Sequence, residues 1–343
     1  MNPNSWINVA HMLWLDQPAG VGFSYGDTND KNEEMVAEDA YYFLQAFFKS
    51  HPEYQDCELF IVGESYGGHY APAIANRVML GNEASLPDTL PLKLTGVGVG
   101  NGLTDPAIQY QYYAEMAYHN SHGIQAVDEK TYQSMKDAEP TCVSMIDSCN
   151  KGGFGQDFRC QVADTYCNTK ITGLYYQTGL NPYDIRKECG DQPLCYDFSN
   201  VSKFMNLDST KQALHVDTNK SHAWETCNNS VNYKFRGDFV RDYASDVTAL
   251  LDKGDVRVMI YAGDVDFICN YLGNQAWTLA LKWGHTSEFN DAEELPWNHD
   301  SGLIRSSHNL SFVQVFDAGH MVPTDQPEVA LDLITQFIKS EFV

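Results

Sequence analysis

Positive charge is scarce in this chain: 22 Lys and Arg face 46 Asp and Glu across 343 residues, a formal net charge of −24. No basic stripe offsets the acidity, so bulk electrostatics exclude a nucleic-acid binder, because such a surface repels phosphate backbones and anionic membranes alike. A small or cationic substrate is the easier match. Long apolar runs are missing too. Stretches such as Leu59–Val62 and Val256–Ala262 fall far short of the ~20 residues that a membrane helix needs. There is no C-x-x-C pair, which weakens a zinc reading. The opening Met1-Asn2-Pro3-Asn4-Ser5-Trp6 has neither a basic start nor an apolar core, so no secretory leader is visible. Internal repeats and low-complexity tracts are lacking as well.

What is present suits a folded core. Hydrophobic residues make up 43% of the chain and aromatics 13%, enough for one large domain or two modest ones and too much for disorder. Nine cysteines occur, six of them crowded into one stretch: Cys142, Cys149, Cys160, Cys167, Cys189 and Cys195. Their spacing fits nested bridges, in which Cys142–Cys167 could close around Cys149–Cys160, with Cys189–Cys195 as a short separate loop. Sequons at Asn200, Asn219, Asn228 and Asn309 agree with the cysteines on an oxidising, secretory compartment. Cys57, Cys227 and Cys269 are left over, so at least one is free or lacks its partner within this chain.

Short apolar runs at Val9–Leu15, Leu59–Val62, Leu94–Val99, Val256–Tyr261 and Phe312–Phe316, each followed by Gly or Asp turns, read as buried parallel strands. Between the first two, Val36, Ala40, Phe43, Leu44, Phe47 and Phe48 fall at helical spacing over Glu33–Lys49, and Pro52 follows. A last helix starts near Pro327 and repeats Val329, Ala330, Leu333, Ile334, Phe337 and Ile338. Strand alternating with helix argues for an α/β sheet. From about Thr104 to Asp242 that rhythm lapses, and the clustered cysteines mark a disulfide-stapled insertion. The run Gly96-Val97-Gly98-Val99-Gly100-Asn101-Gly102 lacks the third glycine of a dinucleotide loop and reads as a tight turn at a strand end.

The sharpest local signal is Gly63-Glu64-Ser65-Tyr66-Gly67, a G-x-S-x-G between an apolar strand and the helix-compatible Ala71–Leu80. Such a turn is strained and brings backbone segments together, so small residues two before and two after the serine expose its Oγ; Gly63 and Gly67 supply them. The chemistry then calls for an acid and a histidine further along, each just past a strand. Val256–Gly263 runs into Asp264-Val265-Asp266, and Ser311–Gly319 runs into His320. Spacing alone does not choose between Asp264 and Asp266. An Asp-x-Asp pair could also hold a divalent metal, but no further ligand cluster is visible in the sequence. The Tyr66 backbone N–H, next after the serine, is the expected oxyanion donor.

Four blocks in order are similar to the signature blocks of the serine carboxypeptidases: Leu15-Asp16-Gln17-Pro18-Ala19-Gly20-Val21-Gly22-Phe23-Ser24-Tyr25, Gly63–Tyr70, Tyr261–Asn270 and Gly319-His320-Met321-Val322-Pro323. The resemblance runs through nearly the whole chain. It implies an α/β-hydrolase fold with a mostly parallel central sheet. Residues 1–103 would be the first part of the core, 104–242 a largely helical, disulfide-bearing cap, and 243–343 the second part. It implies a triad of Ser65, Asp266 and His320, and it supports the nested disulfide pairing. Cys269 matches a thiol bordering the substrate site and Met321 a side chain of the pocket for the departing residue. Tyr183 and Tyr196 match positions lining the specificity pocket.

Glu64 resembles the glutamate that recognises the substrate's terminal carboxylate. Two carboxyl groups within hydrogen-bond reach must share a proton, so an acid optimum for peptide cleavage is expected. The implied activity is release of C-terminal amino acids from peptides or proteins in the secretory pathway, a vacuole or lysosome, or outside the cell. No cofactor or metal is implied, and no nucleic acid or membrane span; a homodimer is compatible. An acyltransferase on the same scaffold and a non-catalytic binding or scaffolding protein are the alternatives. The family also carries, upstream of the Asp-Gln-Pro block, a Trp-Asn-Gly-Gly-Pro-Gly-Cys-Ser-Ser segment. It supplies a second oxyanion N–H, an asparagine for the substrate carboxylate and the cysteine that would pair with Cys227. This chain starts after that segment, so a truncated form is expected, whose own activity the resemblance does not imply.

Overall fold

The apolar runs become the interior of a single sheet in the computed structural model, which describes residues 2–27, 29–192 and 194–342. Among the described residues the strands are β1 (Leu59–Glu64), β2 (Leu94–Gly100), β3 (Arg257–Gly263), β4 (Leu295–Trp297), β5 (Gly302–Ser307) and β6 (Leu310–Val315). Their spatial order is β1-β2-β3-β6-β5-β4. β1, β2, β3 and β6 pair in parallel, while β5 and β4 extend the sheet antiparallel.

Period-2 alternation assigns each strand residue to one of two helical layers. Val258 and Ile260 of β3 pack with Ala71, Ala75, Val247 and Trp277, from the helices Gly67–Ala84, Ala244–Lys253 and Tyr271–Ala280. Met259 and Tyr261 face the other way, onto Leu333, Ile334 and Phe337 of the helix Pro327–Lys339. The helix Glu33–Ser50 starts where expected because Asn32 caps it, its side chain accepting from the Met35 N–H at 3.1 Å. Its buried stripe of Val36, Ala40, Leu44 and Phe48 covers the first layer's outer flank.

Between β2 and β3 the described chain is helical apart from turns and one isolated bridge, Leu180 to Glu188. Disulfides Cys142–Cys167 and Cys149–Cys160 join the helix Glu129–Asn150 to Gln156–Cys167, one nested inside the other, and Cys189–Cys195 closes a short loop. All four cysteines of the nested pair are fully buried, so the bridges stand in for part of a core. Removing such a bridge typically costs about 2–5 kcal/mol.

Three expectations change. Val9–Leu15 is not a strand: it makes no ladder hydrogen bonds, and Leu13 and Trp14 are exposed. An apolar run becomes a strand only beside an available edge, and no described strand lies next to this one. The glycine run is strand rather than turn through Gly100. Cβ atoms there would strike neighbouring rings, with Tyr261 at 2.2 Å from the Gly100 position, so the glycines are cut to fit side chains of the adjacent strands. Finally, the strands leading to Asp266 and His320 are not consecutive. β4 and β5 intervene in sequence, yet β3 and β6 are neighbours in space.

The register has a functional consequence. Glu64 pairs with Gly100, Gly100 with Tyr261, and Gly263 with Val315, so the segments after all four parallel strands emerge on one edge of the sheet. In open α/β sheets that edge is where ligands bind.

Candidate active site

Ser65 follows β1 in the left-handed region, with φ of 63°, a conformation that typically costs a non-glycine residue about 1–3 kcal/mol and must be held by its surroundings. Three backbone hydrogen bonds hold it. Its N–H donates to the Gly100 carbonyl, and its carbonyl accepts from Gly68 and Leu103, each at 3.0 Å. Gly63 is needed for close approach, since a Cβ there would lie 2.9 Å from the Gly67 backbone. At Gly67 itself a Cβ would meet nothing. The second tight position is Gly68, whose Cβ would be 2.5 Å from the Leu103 carbonyl, so the clearance credited to Gly67 belongs one residue on.

Past β3 and β6 a buried acid meets a buried imidazole. His320 Nδ1 lies 2.8 Å from Asp266 Oδ2, with His320 only 4% exposed and Asp266 not at all. Asp266 is satisfied on every side. Oδ2 also accepts from Asn101 Nδ2 at 2.8 Å and from the Cys269 N–H at 3.2 Å, while Oδ1 accepts from the Ile268 N–H at 3.1 Å. With Nδ1 donating to the carboxylate, Nε2 is left as a proton acceptor. Burial works against a charged His320. The charge and hydrogen bond of Asp266, joined by the charge of Glu64, outweigh it and hold the imidazole above its ordinary pKa.

The two aspartates of Asp264-Val265-Asp266 have different partners. Asp264 Oδ2 pairs with His122 Nε2 at 2.9 Å, away from His320. Glu64, at the tip of β1, is half-buried. Burial pushes its carboxyl up to about 7; a charged His320 opposes the rise, and Asp266 and Asp325 add to it. Asp325 accepts from the Gly319 N–H at 2.8 Å, which ties the His320 loop to the turn that follows.

Tyr183, Tyr196, Cys269 and Met321 lie around this centre. The Tyr183 ring lies 5.1 Å from that of His320 and 5.5 Å from that of Tyr196, and the His320 N–H donates to the Tyr183 carbonyl at 2.8 Å. The helical segment thus reaches the imidazole directly. Cys269 is buried, and burial with the charges of Asp266 and Glu64 raises its thiol well above the usual range, so it is a neutral thiol. Met321, next to His320, is half-buried. The Tyr66 side chain points elsewhere: its hydroxyl donates to Asp238 Oδ2 at 2.7 Å and its ring stacks on His69. Asn200 and Asn219 are exposed. Asn228 instead caps the helix Asn229–Lys234 and donates to the Gly20 carbonyl, and Asn309 donates to the Leu251 and Val256 carbonyls. The side-chain nitrogens of those two are taken up inside the fold.

Sequence reasoning passed over Asn101 and His122. Asn101 was legible only as an asparagine between two glycines at a strand end, suited to its φ of 42°. Nothing local marked His122.

A parallel sheet that delivers a strained serine, a buried carboxylate and an imidazole to one edge defines an α/β-hydrolase fold. Within that class the chain belongs to the serine carboxypeptidase family, whose model matches residues 1–340. It is similar to carboxypeptidase Y of Candida albicans, with 39% identity over 99% of this chain and 62% of that protein. Carboxypeptidase Y of Komagataella phaffii is likewise 39% identical, over 99% of this chain and 64% of that one. Among solved structures, Kex1Δp of Saccharomyces cerevisiae, described as a prohormone-processing carboxypeptidase, superposes with a TM-score of 0.81 at 28% identity, covering 99% of this chain and 76% of that one. The chain therefore spans 62% and 64% of the lengths of the two curated relatives. Among the described residues, no helix is long and apolar enough to cross a membrane.

Proposed function

We propose that this chain carries the catalytic centre of a serine-type carboxypeptidase, releasing C-terminal amino acids from peptides under acidic conditions. The observation that carries the reading is the buried 2.8 Å contact between His320 and Asp266, on the same sheet edge as the strained turn at Ser65. Ser65 Oγ attacks the last peptide carbonyl while His320 Nε2 takes its proton, and Asp266 holds the tautomer and stabilises the imidazolium. The Tyr66 N–H donates to the developing oxyanion; one such donor is typically worth ~3 kcal/mol. The departing amino acid takes the proton back from His320. Water, activated by the same imidazole, then releases the acyl group from Ser65.

Glu64 reads the substrate's terminal carboxylate. With its pKa near 7, it is protonated in mild acid and can donate to that carboxylate without charge repulsion, while His320, held above its ordinary pKa and needed neutral to take the serine proton, sets the acidic limit of activity. Residues 104–242 act as a cap that brings Tyr183 and Tyr196 to the pocket, with Met321 and Cys269 completing its wall. The three disulfides support a secretory, oxidising compartment.

The test is a serine-directed phosphonate followed by peptide mapping, together with mass spectrometry of peptide substrates. An adduct at Ser65, stepwise C-terminal trimming, and loss of both in Ser65→Ala are expected. An unlabelled Ser65 would favour a non-catalytic binding protein. Labelling without trimming, but with acyl transfer to an alcohol, would favour an acyltransferase.

A further inference from the structure

At the opposite edge of the sheet, the geometry points to a binding site for a divalent transition-metal ion of the zinc, copper or nickel type, formed by His285, Glu288 and His308. The three residues come from two separate segments. His285 directly precedes the helix Thr286–Asp291, which carries Glu288 one turn on, and His308 sits in the left-handed turn between β5 and β6 with φ of 55°. One ligand atom from each lies within 4.8 Å of the others. His285 Nδ1 is 3.4 Å from Glu288 Oε1, and the two imidazole rings stack with centroids 3.6 Å apart.

The donor chemistry is selective. Two imidazoles and one carboxylate suit borderline ions, whereas calcium and magnesium prefer all-oxygen shells. The rings lie 19° from parallel, so sharing an ion requires them to swing apart until both nitrogens face it at about 2.0–2.1 Å. Room for that exists. His308 and Glu288 are exposed, and the site opens on a cavity of about 350 Å³ lined also by Asp252 and Asn309. The rings are backed rather than free to wander: Trp283, 7% exposed, meets both edge-on, and its indole N–H has no partner.

His308 lies just before β6 and His320 just after it, so the ion would sit at the far end of a six-residue strand from the imidazole of the proposed triad. It has no part in peptide hydrolysis. Its effect is to clamp the β5–β6 turn to the segment around residues 283–288.

The experiment is titration of chelator-stripped protein with zinc chloride at neutral pH, read by calorimetry and by the unfolding midpoint. One equivalent is expected to bind and to raise the midpoint in a concentration-dependent way. His285→Ala and His308→Ala should each weaken binding by more than the about 10–100-fold that loss of an outer-shell partner costs. Magnesium chloride should do neither, and Ser65→Ala should bind zinc like the parent. Absence of stoichiometric binding, or binding that survives either histidine substitution, overturns the inference. Because neither histidine is in a packed core, circular dichroism of the apo variants should overlay the parent, which separates lost ligation from lost fold.

Discussion

Asp266 and Glu33 are both carboxylic acids with no exposed surface, set in opposite kinds of surroundings. Asp266 receives hydrogen bonds from Asn101, Ile268, Cys269 and His320. Neither oxygen of Glu33 has a partner. Burial first, and then the nearby Asp238, Asp30 and Asp246, raise the Glu33 carboxyl well above its ordinary pKa. The two neighbourhoods flank one turn, since Tyr66, next to Ser65, donates to Asp238, and Tyr243 donates to the same carboxylate at 2.7 Å. On the His320 side the fold supplies donors to a carboxylate. On the Tyr66 side it crowds acids together, and the cheapest relief is a proton.

The largest expected effect comes from breaking the satisfied side. Asp266→Asn should lower kcat by about 10⁴-fold, as loss of a triad aspartate does when it leaves the wrong imidazole tautomer. Peptide kinetics with a circular dichroism control would check it, and a loss below about tenfold would remove Asp266 from the triad.

Next comes the crowded side. The folded pKa of Glu33 lies above the unfolded one near 4.5, so the folded chain keeps a proton that the unfolded chain has already lost. Its favourable contribution is therefore complete below about pH 4.5 and is lost as pH rises toward the folded pKa. Glu33→Gln should stabilise the protein by about 1–3 kcal/mol at neutral pH and change little in acid. Urea unfolding at the two pH values reads this directly; equal effects at both would contradict it.

Glu64 links the two themes. Its pKa moves from 4.5 to about 7, so by the same sign it penalises the fold by up to about 3 kcal/mol at high pH. Glu64→Gln should remove the alkaline decline in kcat/KM for peptides. A pH–rate profile overlaying the parent's would exclude the recognition role. The smallest effect is expected from Asp264→Asn, which touches His122 and not His320. Less than about tenfold in kcat is anticipated, and a loss matching Asp266→Asn would mean that the two acids act as one unit.

Some of this was legible from the chain alone. The serine turn, the helix Glu33–Ser50 and the run into β3 all rest on patterns confined to a dozen or so neighbouring residues. Val9–Leu15 shows the limit of such patterns, because pairing needs a partner strand and no local motif reports whether one is there. Asn101 and His122 were missed for a related reason. Their hydrogen bonds reach 165 and 142 residues along the chain, across a helical segment whose path no spacing reveals.

From sequence alone came what short-range sterics and periodicity dictate: a bend that exposes one hydroxyl, helices with one apolar face, and cysteines close enough to pair. Tertiary structure alone decided which donors surround Asp266, how strongly Glu64 and Glu33 hold their protons, and that His285 and His308 meet. Those outcomes depend on burial and on charges brought together from distant parts of the chain, and both come into being only when the sheet and its helices pack.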